Sequence, residues 1–561
     1  MRALRIGTAA LLSALALGMA LPSFAQDGGI STSEPLSANM TVSDDGLITY
    51  AAESCDYGGQ FLSISALDAN TVQFQLCFPD PALPSKVAFS ALGIYPLEHL
   101  VATGGGGEAL YRNPVGTGPY MLGNWELGSE ISMTANPNYW GEPAHEPNLI
   151  FRWNSEAAAR LVELQAGTAD GIDNPGPLDF DVIANDPNLA LYERAGTNVF
   201  YVGMNNTIAP FDNVLVRQAV AHAIDRQRIV DNFYPPGSIA ATQFMPPSIF
   251  GYTEEVEPFP YDPDRARELL AESGVPLPIE TTLSYRDVVR GYLPQPGVVA
   301  VDIQTQLAEV GINVTIDMQE SGTFLDNADE GNLSLHMLGW GADYPDATNF
   351  LDYHFGAGSS AQFGDHFPEL TSILQEAAAL ADPDARYPLY MEANTLIRDL
   401  APVVPIAHGG SGTAFAARIE GAHSSPLGNE AFAVMSDPDD DNLIWMQNGE
   451  PAGIYCADET DGEALRVCEQ INEALLAYEV GGTEVIPALA ESFEASDDLL
   501  TWTFHLREGV TFHDGSGLDA NDVVMSYGAQ WDAANPLHVG RDGSFTYFQA
   551  FFTQFLNAPA E

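Results

Sequence analysis

Residues 487–516, PALAESFEASDDLLTWTFHLREGVTFHDGS, form a strand pattern close to the end of a 561-residue chain. Polar and apolar residues alternate on both sides of an Asp-Asp turn, which predicts two paired β-strands. Residues 61–79, FLSISALDANTVQFQLCFP, predict a second β-hairpin with its turn at 68–70. Two paired strands are not stable alone and need further strands or helices to cover their apolar face. Residues 487–516 are therefore expected to pack against segments that precede them in the chain.

Helical patterns are interleaved with these strand patterns. YDPDRARELLAESG has Asp262 as the predicted N-cap and Gly274 as the stop, and NSEAAARLVELQAG has Ser155 and Gly167 in the same roles. Strand-like runs such as NVFYVGM and INVTIDM lie between and after them. The alternation predicts an α/β architecture.

The first 25 residues have the pattern of a secretory signal peptide. Two arginines precede a long apolar run, and small residues up to Ala25 predict cleavage after that position. No later stretch has the roughly 20 apolar residues that a membrane span needs, so we expect an exported protein without direct membrane insertion. Residues 26–50 are rich in Ser, Gly, Asp and Thr and are interpreted as a leader or loose loop, with the fold beginning near Ala51.

The chain is strongly acidic. It has 77 acidic and 20 basic residues, a formal net charge of −57, and Lys86 as its single lysine. Nucleic-acid affinity comes largely from clusters of Lys and Arg, so this charge excludes a general nucleic-acid binder. Salt screens the repulsion between like charges, and we interpret the acidity as an adaptation to a saline habitat.

The four cysteines form two close sequence pairs, Cys55 with Cys77 and Cys456 with Cys468. Disulfides persist in the oxidising compartments that exported proteins enter. Four cysteines allow three pairings, and we favour the two local bridges. Zinc binding is the competing use, but no pair has C-x-x-C spacing, so no metal site is predicted.

Motifs of enzymes are weak in this chain. A phosphate-binding loop needs a lysine after glycine, whereas Lys86 follows Leu-Pro-Ser. Ser411 is the nearest candidate for a serine-hydrolase nucleophile, but Thr413 replaces the second glycine of the nucleophile elbow. The histidines lack H-E-x-x-H spacing, and a glycosidase pair cannot be recognised among so many carboxylates. No enzyme is predicted, and an exported hydrolase remains the second class of function.

Several segments together resemble one family. Residues 113–141, NPVGTGPYMLGNWELGSEISMTANPNYWG, combine a Gly-Thr-Gly-Pro-Tyr turn, a strand pair and an Asn-x-x-Tyr-Trp ending. RLVELQAGTADGID at 160–173, VGMNNTIAPFDNVLVRQAVAHAIDRQRIV at 202–230 and LGWGADYPDATNFLDYHF at 338–355 follow. These segments resemble the family 5 solute-binding proteins of ABC importers, which include dipeptide- and oligopeptide-binding proteins. The resemblance implies a two-lobed α/β protein of the type II periplasmic binding protein fold, which closes around a ligand without chemistry.

The order of the family's segments is rotated in this chain. Residues 401–432 resemble the family's C-terminus, whereas 443–451, LIWMQNGEP, and 469–515 resemble its N-terminus. Each motif occurs once, so we interpret the chain as a circular permutation joined through SDPDDD at 436–441. Native termini often lie close together at the surface, which permits such a rotation.

The rotated order predicts two lobes. Lobe I is expected to comprise residues 51–249 and 409–561, and lobe II residues 250–408. Closure is expected to be a hinge motion around the strands that cross between the lobes.

The resemblance also implies ligand contacts. Asp343 in GWGADYPDATNF matches the aspartate that the peptide-binding branch presents to the ligand's α-ammonium, and Arg290 matches an arginine that pairs with the terminal carboxylate in the dipeptide-binding branch. A planar, always charged guanidinium suits a carboxylate. Trp340 and Tyr344 are expected to line the pocket. The residues alone leave other roles open: Asp343 as a turn cap before Pro345, Arg290 as a surface counter-ion, and the two aromatic residues as core.

The function implied is that of a periplasmic receptor. It would capture di- or oligopeptides between closing lobes and deliver them to the membrane-embedded permease of an ABC importer. We expect a monomer without a cofactor. Nickel chelates, haem and oligosaccharides are the alternative ligands within the same fold, and peptide binding without turnover would separate a receptor from a hydrolase.

Overall fold

The computed structural model describes residues 35–288 and 290–558. The predicted signal peptide and the first part of the predicted leader lie outside these residues. Within the described ranges, no helix combines the length and the apolar character needed to cross a membrane.

Strands and helices alternate along most of the chain. The strands are β1 (Met40–Val42), β2 (Ile48–Ala51), β3 (Phe61–Asp68), β4 (Thr71–Leu76), β5 (Tyr120–Glu126), β6 (Glu130–Ala135), β7 (Asn148–Trp153), β8 (Gly171–Asp173), β9 (Leu189–Arg194), β10 (Asn198–Met204), β11 (Ile239–Ala240), β12 (Ile279–Arg286), β13 (Ile312–Gln319), β14 (Leu335–Gly341), β15 (Val403–His408), β16 (Ser411–Ala416), β17 (Asn442–Gln447), β18 (Leu476–Tyr478), β19 (Val485–Pro487), β20 (Ala490–Ala495) and β21 (Thr501–Leu506).

The α-helices vary from one turn to five turns in length. They are α1 (Leu83–Lys86), α2 (Leu97–Thr103), α3 (Glu108–Tyr111), α4 (Ala157–Ala166), α5 (Asp179–Ala184), α6 (Val214–Ala223), α7 (Arg226–Phe233), α8 (Pro263–Ser273), α9 (Pro296–Glu309), α10 (Ser321–Asp329), α11 (Leu351–Phe355), α12 (Pro368–Ala378), α13 (Pro383–Leu400), α14 (Gly462–Ile471), α15 (Ala520–Trp531) and α16 (Thr546–Phe552).

The predicted strand pair at 487–516 extends a sheet that begins near the other end of the described chain. This sheet has the order β1-β2-β3-β4-β21-β20. The hairpin β3–β4 is present as predicted, and β21 pairs with β4 so that Trp502 lies opposite Phe74. The two hairpins therefore share one apolar face, which α15 covers.

A second sheet of the same lobe also combines distant segments. Its order is β5-β6-β7-β17-β8-β16-β9, and β17 is parallel to both neighbours. Trp445 of β17 lies opposite Phe151, and its ring centroid is 5.1 Å from that of Phe432. Residues 442–558 are therefore part of the first lobe's core and not a separately packed domain.

The second lobe is built on a sheet with the order β11-β15-β10-β14-β12-β13. Strands β12, β13 and β14 are parallel, whereas β10 is antiparallel to β14. The carboxyl ends of the three parallel strands therefore meet at one edge of the sheet, the position where open α/β sheets commonly bind ligands. Helices α6 to α9 cover one face, and α11 to α13 cover the other.

The predicted lobe boundary at residue 249 is wrong. Strand β10 and helices α6 and α7 lie in the second lobe, where Phe200 and Tyr234 are part of the core. The chain crosses between the lobes at 195–197 and returns at 409–410. Both faces of β10 are buried after Asn198, so residues 199–204 lack charged side chains and contain no local sign of the lobe to which they belong.

The structure also differs from the leader predicted at 26–50. Residues 40–51 contain β1 and β2, and Ile48 and Tyr50 are at most 1% exposed. The backbone N–H of Ile48 donates to Asn521 Oδ1 at 2.9 Å, and Asn535 Nδ2 donates to the Tyr50 hydroxyl at 2.8 Å. These partners come from the far end of the chain, so composition alone could not reveal the burial.

Capping residues in the sequence predicted the ends of helices. Asp262 accepts a hydrogen bond from the backbone N–H of Arg265 at 2.9 Å, and Gly274 ends α8 in the left-handed conformation, as predicted. Gly167 ends α4 in the same way. The start of α4 differs by one residue, since Glu156 rather than Ser155 occupies the N-cap.

Both predicted local disulfides are present. The Cα–Cα distances are 5.4 Å for Cys55–Cys77 and 6.0 Å for Cys456–Cys468. The first connects the turn before β3 to the end of β4, and the second connects α14 to the turn that precedes it. In the described part of the chain, no group of three or more His, Cys, Asp or Glu residues is arranged to hold a metal ion.

Candidate functional site

The two chain crossings between the lobes lie side by side. Asn198, the first residue of β10, donates from Nδ2 to the Gly409 carbonyl at 2.7 Å and accepts from the Gly409 N–H at 2.8 Å. A Cβ on Gly409 would lie 2.1 Å from the carbonyl oxygen of Gly291, so this position requires glycine. We call this contact the hinge, defined by Gly196, Asn198 and Gly409.

The loop that contains Asp343 begins at the hinge. Gly341, the last residue of β14, pairs with Asn198, and the N–H of Ala342 donates to the Thr197 carbonyl at 2.8 Å. Asp343 is the next residue. The carboxylate therefore lies at the edge of the second lobe's sheet where the parallel strands end, beside the connection to the first lobe.

Asn349 organises this loop. Its Oδ1 accepts from the backbone N–H of Asp343 at 3.0 Å and from Trp340 Nε1 at 3.2 Å, and its Nδ2 donates to Asp343 Oδ2 at 3.0 Å. Asn349 is 3% exposed. Sequence reasoning missed this residue, although it lies six positions after Asp343 in the same quoted motif.

The Asp343 carboxylate is in an environment that disfavours its charge. Burial raises the pKa of Asp343 to about 6, and the hydrogen bond from Asn349 opposes that shift. Among the residues that the structure describes, Asp343 forms no ion pair with Lys or Arg, and Asn349 is its side-chain hydrogen-bond partner. A cationic group arriving at this carboxylate would supply the missing compensation.

The aromatic residues predicted beside Asp343 have different surroundings. Trp340 is half-buried and stacks on Tyr353 at 4.2 Å between ring centroids. Tyr344 is 5% exposed and packs edge-on against Phe551 of the first lobe at 5.1 Å. Trp340 therefore belongs to the second lobe, whereas Tyr344 inserts into the first lobe's core.

Arg290 lies in a turn beside the hinge. Its backbone exchanges hydrogen bonds with Leu293 at 3.2 and 3.0 Å, and its side chain is exposed. The next residue, Gly291, makes the close approach to Gly409. The structure thus places Arg290 and Asp343 in two loops that both meet the hinge.

Lys86, the single lysine, is a contact between the lobes that sequence reasoning did not identify. It is 7% exposed, and its Nζ lies 2.7 Å from Asp80 Oδ2 and 5.4 Å from the centre of the Tyr344 ring. Nearby, burial and then the charge of Asp346 raise the pKa of Asp352 to about 7. The interface between the lobes therefore contains several carboxylates around few cations.

Ser411, the hydrolase candidate, is the first residue of β16. Its hydroxyl accepts a hydrogen bond from Arg194 Nη1 at 3.2 Å. An arginine is protonated at all ordinary pH values and cannot act as a general base. This contact offers the serine no route of activation.

Comparisons with known proteins identify the family of this chain. The model of the bacterial extracellular solute-binding proteins, family 5 Middle, matches residues 32–362 and 484–544. Over 381 residues the chain is 32% identical to Di/tripeptide-binding protein 1 of Pseudomonas aeruginosa (strain UCBPP-PA14), covering 66% of this chain and 71% of that protein. Over 379 residues it is 32% identical to Heme-binding protein A of Haemophilus influenzae, covering 67% of this chain and 69% of that protein.

A solved structure shows the same architecture. HbpA2 from Haemophilus parasuis is 27% identical, with a TM-score of 0.63 over 72% of this chain and 90% of that chain. The predicted family resemblance and the two-lobed α/β fold are therefore confirmed. This chain belongs to family 5 of the bacterial extracellular solute-binding proteins.

Proposed function

We propose that this protein is a periplasmic receptor that binds di- or oligopeptides between its lobes and delivers them to the permease of an ABC importer. The observation that carries the proposal is Asp343, a carboxylate without a cation partner among the described residues, positioned beside the hinge. A peptide's free α-ammonium has the charge and hydrogen-bond donors that this group lacks. The 32% identical relative named Di/tripeptide-binding protein 1 supports this ligand class.

Arg290 is proposed to bind the peptide's terminal carboxylate. Its turn and the Asp343 loop both extend from the second lobe's sheet and meet the hinge, so the two charges belong to the same lobe and closure would bring the first lobe over both. Trp340 is proposed to line the pocket beside Asp343. Tyr344 contributes by fixing the loop against the first lobe, and the receptor makes or breaks no bond in its ligand.

Titration calorimetry with three forms of one short peptide tests this proposal. The free peptide is expected to bind, the N-acetylated form to bind at least roughly thirtyfold more weakly because it lacks the ammonium, and the C-amidated form to show a similar loss. Equal affinity for the free and acetylated forms would rule out Asp343 as the ammonium site. Native mass spectrometry of the purified protein would identify a co-purifying ligand directly.

Haem is the second candidate ligand because one relative is named Heme-binding protein A. Absorbance titration of the purified protein with haem separates the two proposals. A saturable shift of the Soret band that an excess of short peptides does not reverse would favour haem.

The predicted signal peptide assigns the receptor to the periplasm, with the permease as its membrane-embedded partner. That signal lies outside the described residues. Sequencing the N-terminus of the exported protein would test cleavage after Ala25, and analytical ultracentrifugation would test the expected monomer.

The rotated segment order is proposed to be a circular permutation. Strand β17 lies between β7 and β8, and the Gln60 N–H donates to the Phe552 carbonyl at 3.0 Å, so the proposed new ends are adjacent. Asn557 Nδ2 also donates to Asn39 Oδ1 at 2.9 Å, so a chain opened within 436–441, with residue 557 joined to residue 39 by a short linker, keeps β1, β2 and the Cys55–Cys77 disulfide and should fold. Failure of this rearranged chain to reproduce the melting temperature and ligand binding of the original would count against the permutation.

A further inference from the structure

Arg286 is the last residue of β12 and lies at the same sheet edge as the Asp343 loop. Strands β12 and β14 are parallel neighbours, with Ser284 opposite His336. The chains of both strands therefore leave the sheet on the side that faces the hinge. The predicted contacts did not include this arginine.

The partners of Arg286 do not neutralise its charge. Nη1 donates to Ser321 Oγ at 3.0 Å, and Nη2 donates to the Tyr292 hydroxyl at 3.2 Å. Within the described ranges Arg286 has no ion pair, and its half-buried side chain has no buried nitrogen left without a partner. Because the side chain is half-buried, part of Arg286 remains in contact with solvent.

One acid on the same face of the sheet as Arg286 accepts hydrogen bonds from neutral side chains. Asp317 of the adjacent strand lies on the same face of the sheet, but its Oδ2 accepts from Ser284 at 3.2 Å and from Gln319 at 2.6 Å. In contrast, the buried Arg386 of the same lobe makes two bonds of 3.0 and 2.7 Å to Asp346. The chain has 77 acidic residues that could pair with a structural arginine, yet Arg286 has no ion pair within the described ranges.

Tyr292 connects Arg286 to the candidate site. A Cβ on Gly339 would lie 2.2 Å from Tyr292 Cδ2, so the tyrosine ring packs against β14 at Gly339. Gly339 directly precedes Trp340. Tyr292 is also two residues after Arg290. The two hydroxyl bonds thus hold the guanidinium in a fixed orientation beside the residues proposed to bind a peptide, which favours recognition of a planar carboxylate.

We infer that Arg286 binds a second ligand carboxylate and gives this receptor a preference for peptides that carry one. This inference rests on the proposed function. The carboxylate has two possible sources, the acidic side chain of a dipeptide or the C-terminus of a peptide too long to end at Arg290. An extended peptide advances about 3.3–3.6 Å per residue, so one added residue moves the terminal carboxylate by about that distance.

Titration calorimetry tests both sources. The first arm compares Ala-Glu with Ala-Gln, and the second compares Ala-Ala-Ala with its C-terminal amide. We expect the charged member of at least one pair to bind roughly tenfold or more tightly, because hydrogen bonds to charged groups have that magnitude. Arg286→Gln should remove this difference, Arg286→Lys should retain part of it, and Ala-Ala should bind both variants as it binds the original protein.

Arg265→Gln is the matched control. Arg265 lies on the exposed surface of α8 in the same lobe, so its loss changes the net charge equally without altering the sheet edge. If both arms show no difference while Ala-Ala binds, or if the difference persists in Arg286→Gln, the inference is overturned and the proposed function stands. If the original protein binds none of these peptides, the proposed peptide function is overturned together with the inference.

Discussion

One network of buried charges in the first lobe is compensated. Asp173 and Glu430 lie between Arg194 and Arg466, and each of the four side chains is at most 8% exposed. Arg466 lies 2.8 Å from Glu430 and 3.2 Å from Asp173, and Arg194 contacts both acids. Burial alone would raise the pKa of Glu430, but the two guanidinium groups lower it to about 2.

Two carboxylates of the second lobe are not compensated in this way. Burial raises the pKa of Asp343 to about 6 and that of Asp352 to about 7. Both kinds of site remove carboxylates from water. At Glu430 the attraction of two guanidinium groups outweighs burial, whereas at Asp352 the charges of Arg386 and Lys86 only partly oppose it. The first arrangement joins distant segments of one lobe, whereas Asp343 is left without a cation partner among the described residues.

Removing one arginine from the compensated network of the first lobe should have the largest effect on the free energy of unfolding. Arg466→Ala is expected to lower the free energy of unfolding by about 3–5 kcal/mol, because two acids would remain buried with one arginine. Urea denaturation measures this change. Arg265→Ala, which removes an exposed cation, should cost no more than about 0.5 kcal/mol, and equal costs for the two variants would contradict the comparison.

The opposite outcome is expected at the uncompensated site. Asp343→Ala should weaken the binding of a short free peptide at least roughly thirtyfold, about 2 kcal/mol or more, without lowering the melting temperature. Calorimetry and thermal unfolding measure the two effects. Asp264→Ala removes an exposed acid of the same lobe and should leave the affinity unchanged. A fall in stability without a loss of affinity would make Asp343 a structural residue like Glu430.

Asp352 offers a pH test of the same comparison. A raised pKa means that the folded state binds the proton more tightly, so the associated stability is present at low pH and is lost as the pH rises toward 7. Asn cannot ionise. Asp352→Asn should therefore be more stable than the original protein by about 1–3 kcal/mol at pH 8, with the difference shrinking toward pH 4.5. Urea denaturation at both pH values measures this, and a difference independent of pH would exclude ionisation of Asp352 as its cause.

Salt should have the smallest effect on stability for each charged residue, and it should act on the charges that are exposed at the surface. The melting temperature is expected to rise between about 0.05 and 1 M sodium chloride, because the Debye length falls to about 3 Å and the repulsion among exposed acids is screened. The cost of Arg466→Ala should change little over this range because that network is buried. A melting temperature that does not respond to salt would leave the net charge of −57 without this explanation.

The sequence alone determined the features whose causes are local. Asp262 and Gly274 bounded α8 because capping involves residues within one turn of the helix end. Both disulfides join cysteines at most 22 residues apart, and the hairpin β3–β4 needed only its own alternation and turn. Motif resemblance identified the family and nominated Asp343 and Arg290.

Only the tertiary structure decided which distant segments meet. It moved the lobe crossing from residue 249 to 195–197, buried Tyr50 under α15 and placed Tyr344 in the core of the first lobe. It also revealed Asn349 beneath Asp343 and the hydroxyl partners of Arg286. The physical reason is that burial and hydrogen bonding depend on residues that the fold brings together, from six to several hundred positions apart, and these leave no periodic or capping pattern in the residues that they contact.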